Sequence, residues 1–357
     1  MKNKLSQTTE IFGLTPDGRT VNLFTFLLAN KIKVSVMNYG ATLTHLFVPD
    51  KNGQMEDVVL GFDDFDGYIQ KEYLDNYCYI GSTVGRVAGR TADNQILIDD
   101  QIFALPANQG HVHLHGGIEG WDKKIWESTP FQTAEKVGVA FKYQSADGEE
   151  HYPGKVDVTV TYSLDQAGIL EIHYQAETDQ KTIINPTNHS YFNLSGDFTQ
   201  SIDAHLLQIA AEHYMPLRTE SLPTGVFTEV NGSPFDFRKP GKIGIALENE
   251  DPQLQLANGI DHAFLLDKNQ PTATLHHPGS GRVLHLSTTE PAVQVYSGNY
   301  LNNRFKGKNG ITYDKRAAIC LETQHFADST HHSHFPTIVL NPGETFDSKT
   351  KFWFSIQ

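Results

Sequence analysis

The chain has 357 residues, 39% of them hydrophobic and 20% charged, enough apolar material for a large core. Its 28 basic and 42 acidic residues leave a net charge of −14, which argues against nucleic acid or an anionic membrane as a partner. Its 2 cysteines, Cys78 and Cys320, do not make a disulfide framework and read as reduced thiols of a cytoplasmic protein.

In chain order, strand signals dominate. Met1-Lys2-Asn3-Lys4-Leu5 is basic but has no apolar run behind it, so no secretory signal is read there. Ile32, Val34 and Val36 alternate with Lys31, Lys33 and Ser35, the mark of a half-buried strand. Residues 64–74 hold the main candidate for a turn or two of helix, and residues 95–105 read as a hairpin. Val156, Val158, Val160, Tyr162 and Leu164 alternate with polar residues, and the alternation resumes at Leu170, Ile172, Tyr174 and Ala176. Between them Asp165-Gln166-Ala167-Gly168 is turn-like, which predicts a second hairpin. Residues 273–295 predict a third, with Pro278-Gly279-Ser280-Gly281 at its tip. The apolar stretch 317–321 predicts a buried strand ending at Glu322, and 352–356 a final buried strand. No stretch approaches the roughly 18 apolar residues of a membrane span. The fold class is all-β: a large antiparallel β-sandwich, taken as a single domain over residues 1–357, with two packed β domains as the alternative.

Four segments carry chemistry-bearing residues. Gly85-Arg86-Val87-Ala88-Gly89-Arg90 is either a turn with two solvated arginines or a fixed guanidinium donor for hydroxyls. In His111-Val112-His113-Leu114-His115-Gly116-Gly117 an extended backbone would put the three histidines on one face. That suits a metal site, or a single working histidine beside glycines that let a ligand approach the backbone. Composition does not separate the two. In residues 185–194, His189 lies among Asn188, Ser190, Tyr191 and Asn193, whose polar groups suit sugar hydroxyls, while the rings of Tyr191 and Phe192 suit the apolar face of a pyranose. Finally, Glu322 follows the apolar stretch of its strand, where a carboxylate is either satisfied by a partner or tuned for proton transfer.

Together these segments resemble the galactose mutarotase (aldose 1-epimerase) family. The resemblance runs along nearly the whole chain, through Asp57-Val58-Val59-Leu60-Gly61-Phe62, Leu114-His115-Gly116-Gly117, Trp121-Asp122-Lys123 and the segment from Asp147 to Gly154. It continues through Thr187-Asn188-His189-Ser190-Tyr191-Phe192-Asn193-Leu194, Asn258-Gly259-Ile260-Asp261-His262, Val295-Tyr296-Ser297-Gly298-Asn299, Leu321-Glu322-Thr323-Gln324 and Asn341-Pro342-Gly343-Glu344. It implies a β-supersandwich of roughly thirty strands. It also implies interconversion of the α and β anomers of a free hexose such as galactose. By the same resemblance Glu322 matches a general base, His189 a general acid, His115 a second active-site histidine, and Arg90, Asp261 and Gln294 sugar-binding residues. One position departs from the family pattern: Gly89 stands where asparagine is usual.

Mutarotation suits such residues. A base takes the proton of the C1 hydroxyl, an acid protonates the ring oxygen, and the open aldehyde turns about C1–C2 before closing again. With no redox change and no leaving group, no cofactor and no metal are expected. The expected partner is the sugar itself, and the assembly a monomer or homodimer. Three other readings compete. A non-catalytic carbohydrate-binding protein would not need Glu322 and His189 together. A glycosidase usually needs two carboxylates. A sugar-phosphate enzyme would need a basic site, for which Lys306 and Lys308 are the nearest cluster.

Overall fold

The computed structural model describes residues 4–267 and 270–357. Thirty strands are assigned among them, and the sheets are antiparallel. Leu5–Leu14, Thr20–Leu28, Ile32–Met37, Thr42–Pro49 and Met55–Asp57 form a five-stranded meander in chain order. A nine-stranded sheet runs Glu127–Gln132, Lys136–Ser145, Val156–Asp165, Leu170–Thr178, Phe346–Ile356, Arg282–Thr288, Ala273–His277, Leu206–Ile209 and Gly241–Lys242. A six-stranded sheet runs Tyr191–Phe192, Ile319–Gln324, Ala292–Tyr296, Asp261–Leu265, His213–Tyr214 and Thr228–Glu229.

Alternation decides which face each strand buries. Phe26, Val34 and Leu46 of the meander, Phe141, Val160 and Ile172 of the large sheet, and Val293, Val295 and Leu321 of the six-stranded sheet all enter one apolar cluster. That shared core makes the molecule a sandwich. The hairpin of Val156–Asp165 and Leu170–Thr178 closes with Leu164 opposite Leu170, and Gly168 supplies the positive φ of its turn (+89°). The hairpin within 95–105 closes on Asp99-Asp100, with Ile98 opposite Gln101.

Three expectations are corrected. The third hairpin ends at Thr288; Ala292–Tyr296 is a separate strand of the six-stranded sheet, so the chain changes layers between them. The last strand starts earlier, at Phe346, and its Trp353 and Phe354 are only half-buried. The strand expected to end at Glu322 runs from Ile319 to Gln324 with every residue buried, so the glutamate sits in mid-strand. Residues 64–74 do hold two short helices, Phe65–Ile69 and Lys71–Leu74, the first capped by the Asp64 side chain accepting from the Gly67 amide. Two more, Ile243–Leu247 and Pro252–Leu256, were not anticipated; each is too short to show a period, although Asp251-Pro252 is a helix-start signature.

Candidate active site

The six-stranded sheet presents its second face to a cavity of about 950 Å³, counting its open mouth. Directly opposed residues of antiparallel strands point the same way. Gln294 opposes Glu322 and Ala263, while Tyr296 opposes Cys320 and Asp261. Register alone therefore gathers Glu322, Gln294 and Asp261 on one wall, while Leu321, Val293 and Val295 turn into the core.

Asp261 is held at both oxygens: Gln294 Nε2 donates to Oδ1 at 2.7 Å, and Arg90 Nη1 approaches Oδ2 at 3.4 Å. Arg90 Nε donates in turn to Gln109 Oε1 at 2.8 Å. The result is a fixed row of donors and acceptors along the cavity. Opposite lies His189, with Nε2 3.7 Å from Glu322 Oε1. Its backbone is pinned on both sides, its N–H donating to Ser82 O and its carbonyl accepting from the Gly81 amide, each at 2.9 Å. The ring lies almost parallel to those of Tyr191, centroids 5.0 Å apart, and Tyr79, 6.1 Å apart.

His115 completes the group by leaving the strand. Only His113–Leu114 pairs as strand, and His115 takes φ +52°. The expected common face of His111, His113 and His115 is thereby broken. His111 is exposed, and His113 is buried with Nδ1 at 2.8 Å from Pro106 O and Nε2 at 2.7 Å from the Tyr152 hydroxyl. His115 exchanges two bonds with Gly89: its N–H donates to Gly89 O (3.0 Å), and the Gly89 N–H donates to its Nδ1 (3.2 Å). Gly89 has φ +80°, and a Cβ there would lie 2.6 Å from that of Ala327, so both conformation and space demand glycine.

Burial sets the electrostatics. Loss of solvent pushes the Glu322 carboxyl well above its ordinary range; Asp261 adds to this and Arg90 opposes it. Burial likewise lowers His189 to about 4. It also holds His115 well below its usual value, helped by His189 and Arg90.

Several expectations change. Asn188, Ser190 and Asn193 build the frame instead of meeting a ligand. Ser190 Oγ donates to Asn188 Oδ1 (2.5 Å), Asn188 Nδ2 to Gly81 O, and Asn193 Nδ2 to the carbonyls of Gln200 and Ala317. Ser190, proposed from its polarity as a sugar contact, therefore does not line the cavity. Tyr191 does, but its hydroxyl is committed to Cys78 O at 3.0 Å, leaving its ring as the contact. Phe192 points away, packing on Phe352. The two arginines of residues 85–90 are neither of them solvated: Arg90 lines the cavity, and Arg86 is buried, donating to Pro153 O, Gly154 O and Ser145 Oγ. Lys308 is buried too, donating to Asp57, Thr44 O and Val59 O, and is unavailable to a phosphate. Tyr79, Gln109, Tyr296 and Gln324 also line the cavity. Tyr296 and Gln324 lay in quoted motifs without a role. Tyr79, at φ +56°, had no periodic signal to mark it.

Ligand atoms of His115, His189 and Glu322 lie within 4.8 Å of one another, the one such trio of possible metal ligands among the described residues. The donor set suits zinc. The tautomer of His115 does not: a neutral ring whose Nδ1 accepts from the Gly89 amide carries its proton on Nε2, leaving no free lone pair.

An antiparallel sandwich whose cavity sets a histidine–glutamate pair against a row of hydrogen-bonding side chains has the build of a sugar-handling enzyme. The chain belongs to the aldose 1-epimerase family, whose sequence profile, Aldose 1-epimerase, matches residues 25–353. Over 356 residues it is 42% identical to the galactose mutarotase of Bos taurus, covering 99% of each chain. It is 32% identical over 347 residues to the aldose 1-epimerase of Escherichia coli (strain K12), covering 96% of this chain and 97% of that one. Among solved structures, the galactose 1-epimerase of Lactobacillus acidophilus NCFM superposes with a TM-score of 0.86 at 31% identity over 99% of both chains.

Proposed function

We infer that this chain is an aldose 1-epimerase that interconverts the anomers of a free aldohexose such as galactose, with Glu322 as base and His189 as acid. The observation that carries the residue roles is the buried approach of His189 Nε2 to Glu322 Oε1, 3.7 Å, in a cavity walled by Arg90, Asp261 and Gln294. Glu322 takes the C1 hydroxyl proton while His189 protonates the ring oxygen. The aldehyde turns and the two groups exchange roles on closure. At the open-chain stage one proton has passed, through the sugar, from histidine to glutamate, and closure returns it. Burial favours that distribution, because it removes two charges from a desolvated site.

Asp261 is the cavity's second carboxylate, but both its oxygens are engaged, which suits holding the sugar through Arg90 and Gln294 and does not suit a glycosidase's proton donor. Asp261→Ala is expected to raise KM by roughly tenfold with little change in kcat, the loss of a charged hydrogen-bonding partner from the binding wall. Steady-state polarimetry of α-galactose decides it; a collapse of kcat at unchanged KM would give Asp261 a chemical role.

Activity is expected to be metal-independent, because a base and an acid suffice and the His115 tautomer opposes coordination. Initial rates after exhaustive chelation, beside elemental analysis, test this. A stoichiometric metal whose removal stops the reaction and whose return restores it would overturn the reading.

A single domain is supported by one apolar cluster that draws on residues from Leu5 to Phe352. A reducing, cytoplasmic setting is supported by two free thiols, Cys78 and Cys320. No helix among the described residues is long and apolar enough to cross a membrane.

A further inference from the structure

Cys320 has no place in the chemistry above, yet it lies against it. It shares a strand face with Glu322, two residues away, and is fully buried. Its Sγ is 3.5 Å from Nδ1 of His189, the nitrogen opposite the one that approaches Glu322. The other groups around the ring are the faces and edges of Tyr79, His115, Tyr191 and Tyr296, at centroid distances of 5.0–6.2 Å. Among the described residues, sulfur is thus the hydrogen-bond partner of Nδ1.

We propose that Cys320 is a positioning residue for mutarotation: its sulfur accepts the Nδ1 proton of His189, fixing the tautomer that leaves Nε2 free to trade a proton with the sugar. The proposal rests on His189 being the acid. If one mobile proton moves between Glu322 and Nε2, Nδ1 must keep its own proton in both states, and only an acceptor beside it can hold that arrangement. The choice of acceptor also matters. A carboxylate at this place would stabilise the imidazolium and weaken it as an acid, as the buried aspartate does for the base of a serine protease. A buried thiol stays uncharged, its ionisation pushed well up by desolvation, so the imidazolium remains a strong donor.

The two active-site histidines are then held in opposite tautomers. The Gly89 amide donates to Nδ1 of His115 and puts the proton on Nε2; Cys320 accepts from Nδ1 of His189 and frees Nε2. Nitrogen-15 NMR of the histidine rings in the sugar-free wild-type enzyme reads this directly. Opposite tautomers for His115 and His189 are expected, and an Nε2–H neutral tautomer at His189 would overturn the proposal without any variant. In parallel, Cys320→Ala is expected to lower kcat about tenfold, a fraction of what a positioned acid supplies, with KM nearly unchanged and the His189 tautomer altered. Cys320→Ser, which keeps an acceptor, is expected to restore most of that loss. A Cys320→Ala enzyme with wild-type kcat, or a loss that serine does not restore, would refute the positioning role. His189→Ala measured alongside separates the two levels: full turnover there would remove the acid assignment itself, whereas a crippled His189→Ala beside a silent Cys320→Ala would remove only Cys320.

Discussion

Glu322→Gln is expected to lower kcat for anomer interconversion by at least about 10²-fold while leaving KM within a few-fold of wild type. The amide has the carboxylate's shape, and the hydrogen bonds that join Arg90, Asp261 and Gln294, the proposed sugar-binding wall, do not involve Glu322. What is lost is the carboxylate that lies 3.7 Å from His189 Nε2, the proposed base. The pH dependence of kcat/KM for the wild-type enzyme provides a second reading. The working pair carries one proton over two groups, so its titration is that of a pair. Gaining a second proton fills the base, and this begins as pH falls toward the His189 value of about 4. Losing the last proton empties the acid, and because burial raises Glu322, that loss falls above the ordinary carboxylate range. A bell between those limits is therefore expected, flattened to a small residual rate in Glu322→Gln. Near-normal turnover by that variant in polarimetry would end the assignment of Glu322 as base.

What the sequence made legible follows period two. Strands with one face in the core, such as Val156–Asp165 and Leu170–Thr178, show their alternation because water and the apolar cluster meet alternate side chains. Glu322, His189, Arg90, Asp261 and Gln294 were legible through family motifs, and the structure brings them to one cavity. The polar residues beside His189 misled for a physical reason. Composition shows that Asn188, Ser190 and Asn193 can form hydrogen bonds, but not that nearby carbonyls and each other's side chains will claim them. Arg86 and Lys308 could not be placed from sequence, since a cation reads as solvated until the fold supplies enough backbone oxygens to replace its water. Residues on positive-φ bends, His115 and Tyr79, escape any period because the bend itself aims them.

The second large effect concerns stability. Lys308 is 2% exposed, and its three ammonium protons meet Asp57 Oδ2 at 2.6 Å, Thr44 O at 2.6 Å and Val59 O at 2.8 Å. These contacts tie residues 305–313 to two strands of the meander, Thr42–Pro49 and Met55–Asp57. Asp57 itself accepts from the Leu46 amide at 3.0 Å. Removing the carboxylate with Asp57→Ala leaves a desolvated ammonium without its counter-charge, a loss of about 3–5 kcal/mol. Lys308→Met leaves a carboxylate that still has backbone donors, plus two carbonyls without a partner, and is expected to cost less. The double variant removes both charges at once and is expected to be more stable than Asp57→Ala alone, because the uncompensated charge is the dominant penalty. Urea unfolding of the four proteins, compared at matched slopes, measures the coupling. If Asp57→Ala and the double variant unfold at the same midpoint, the uncompensated ammonium is not the dominant penalty.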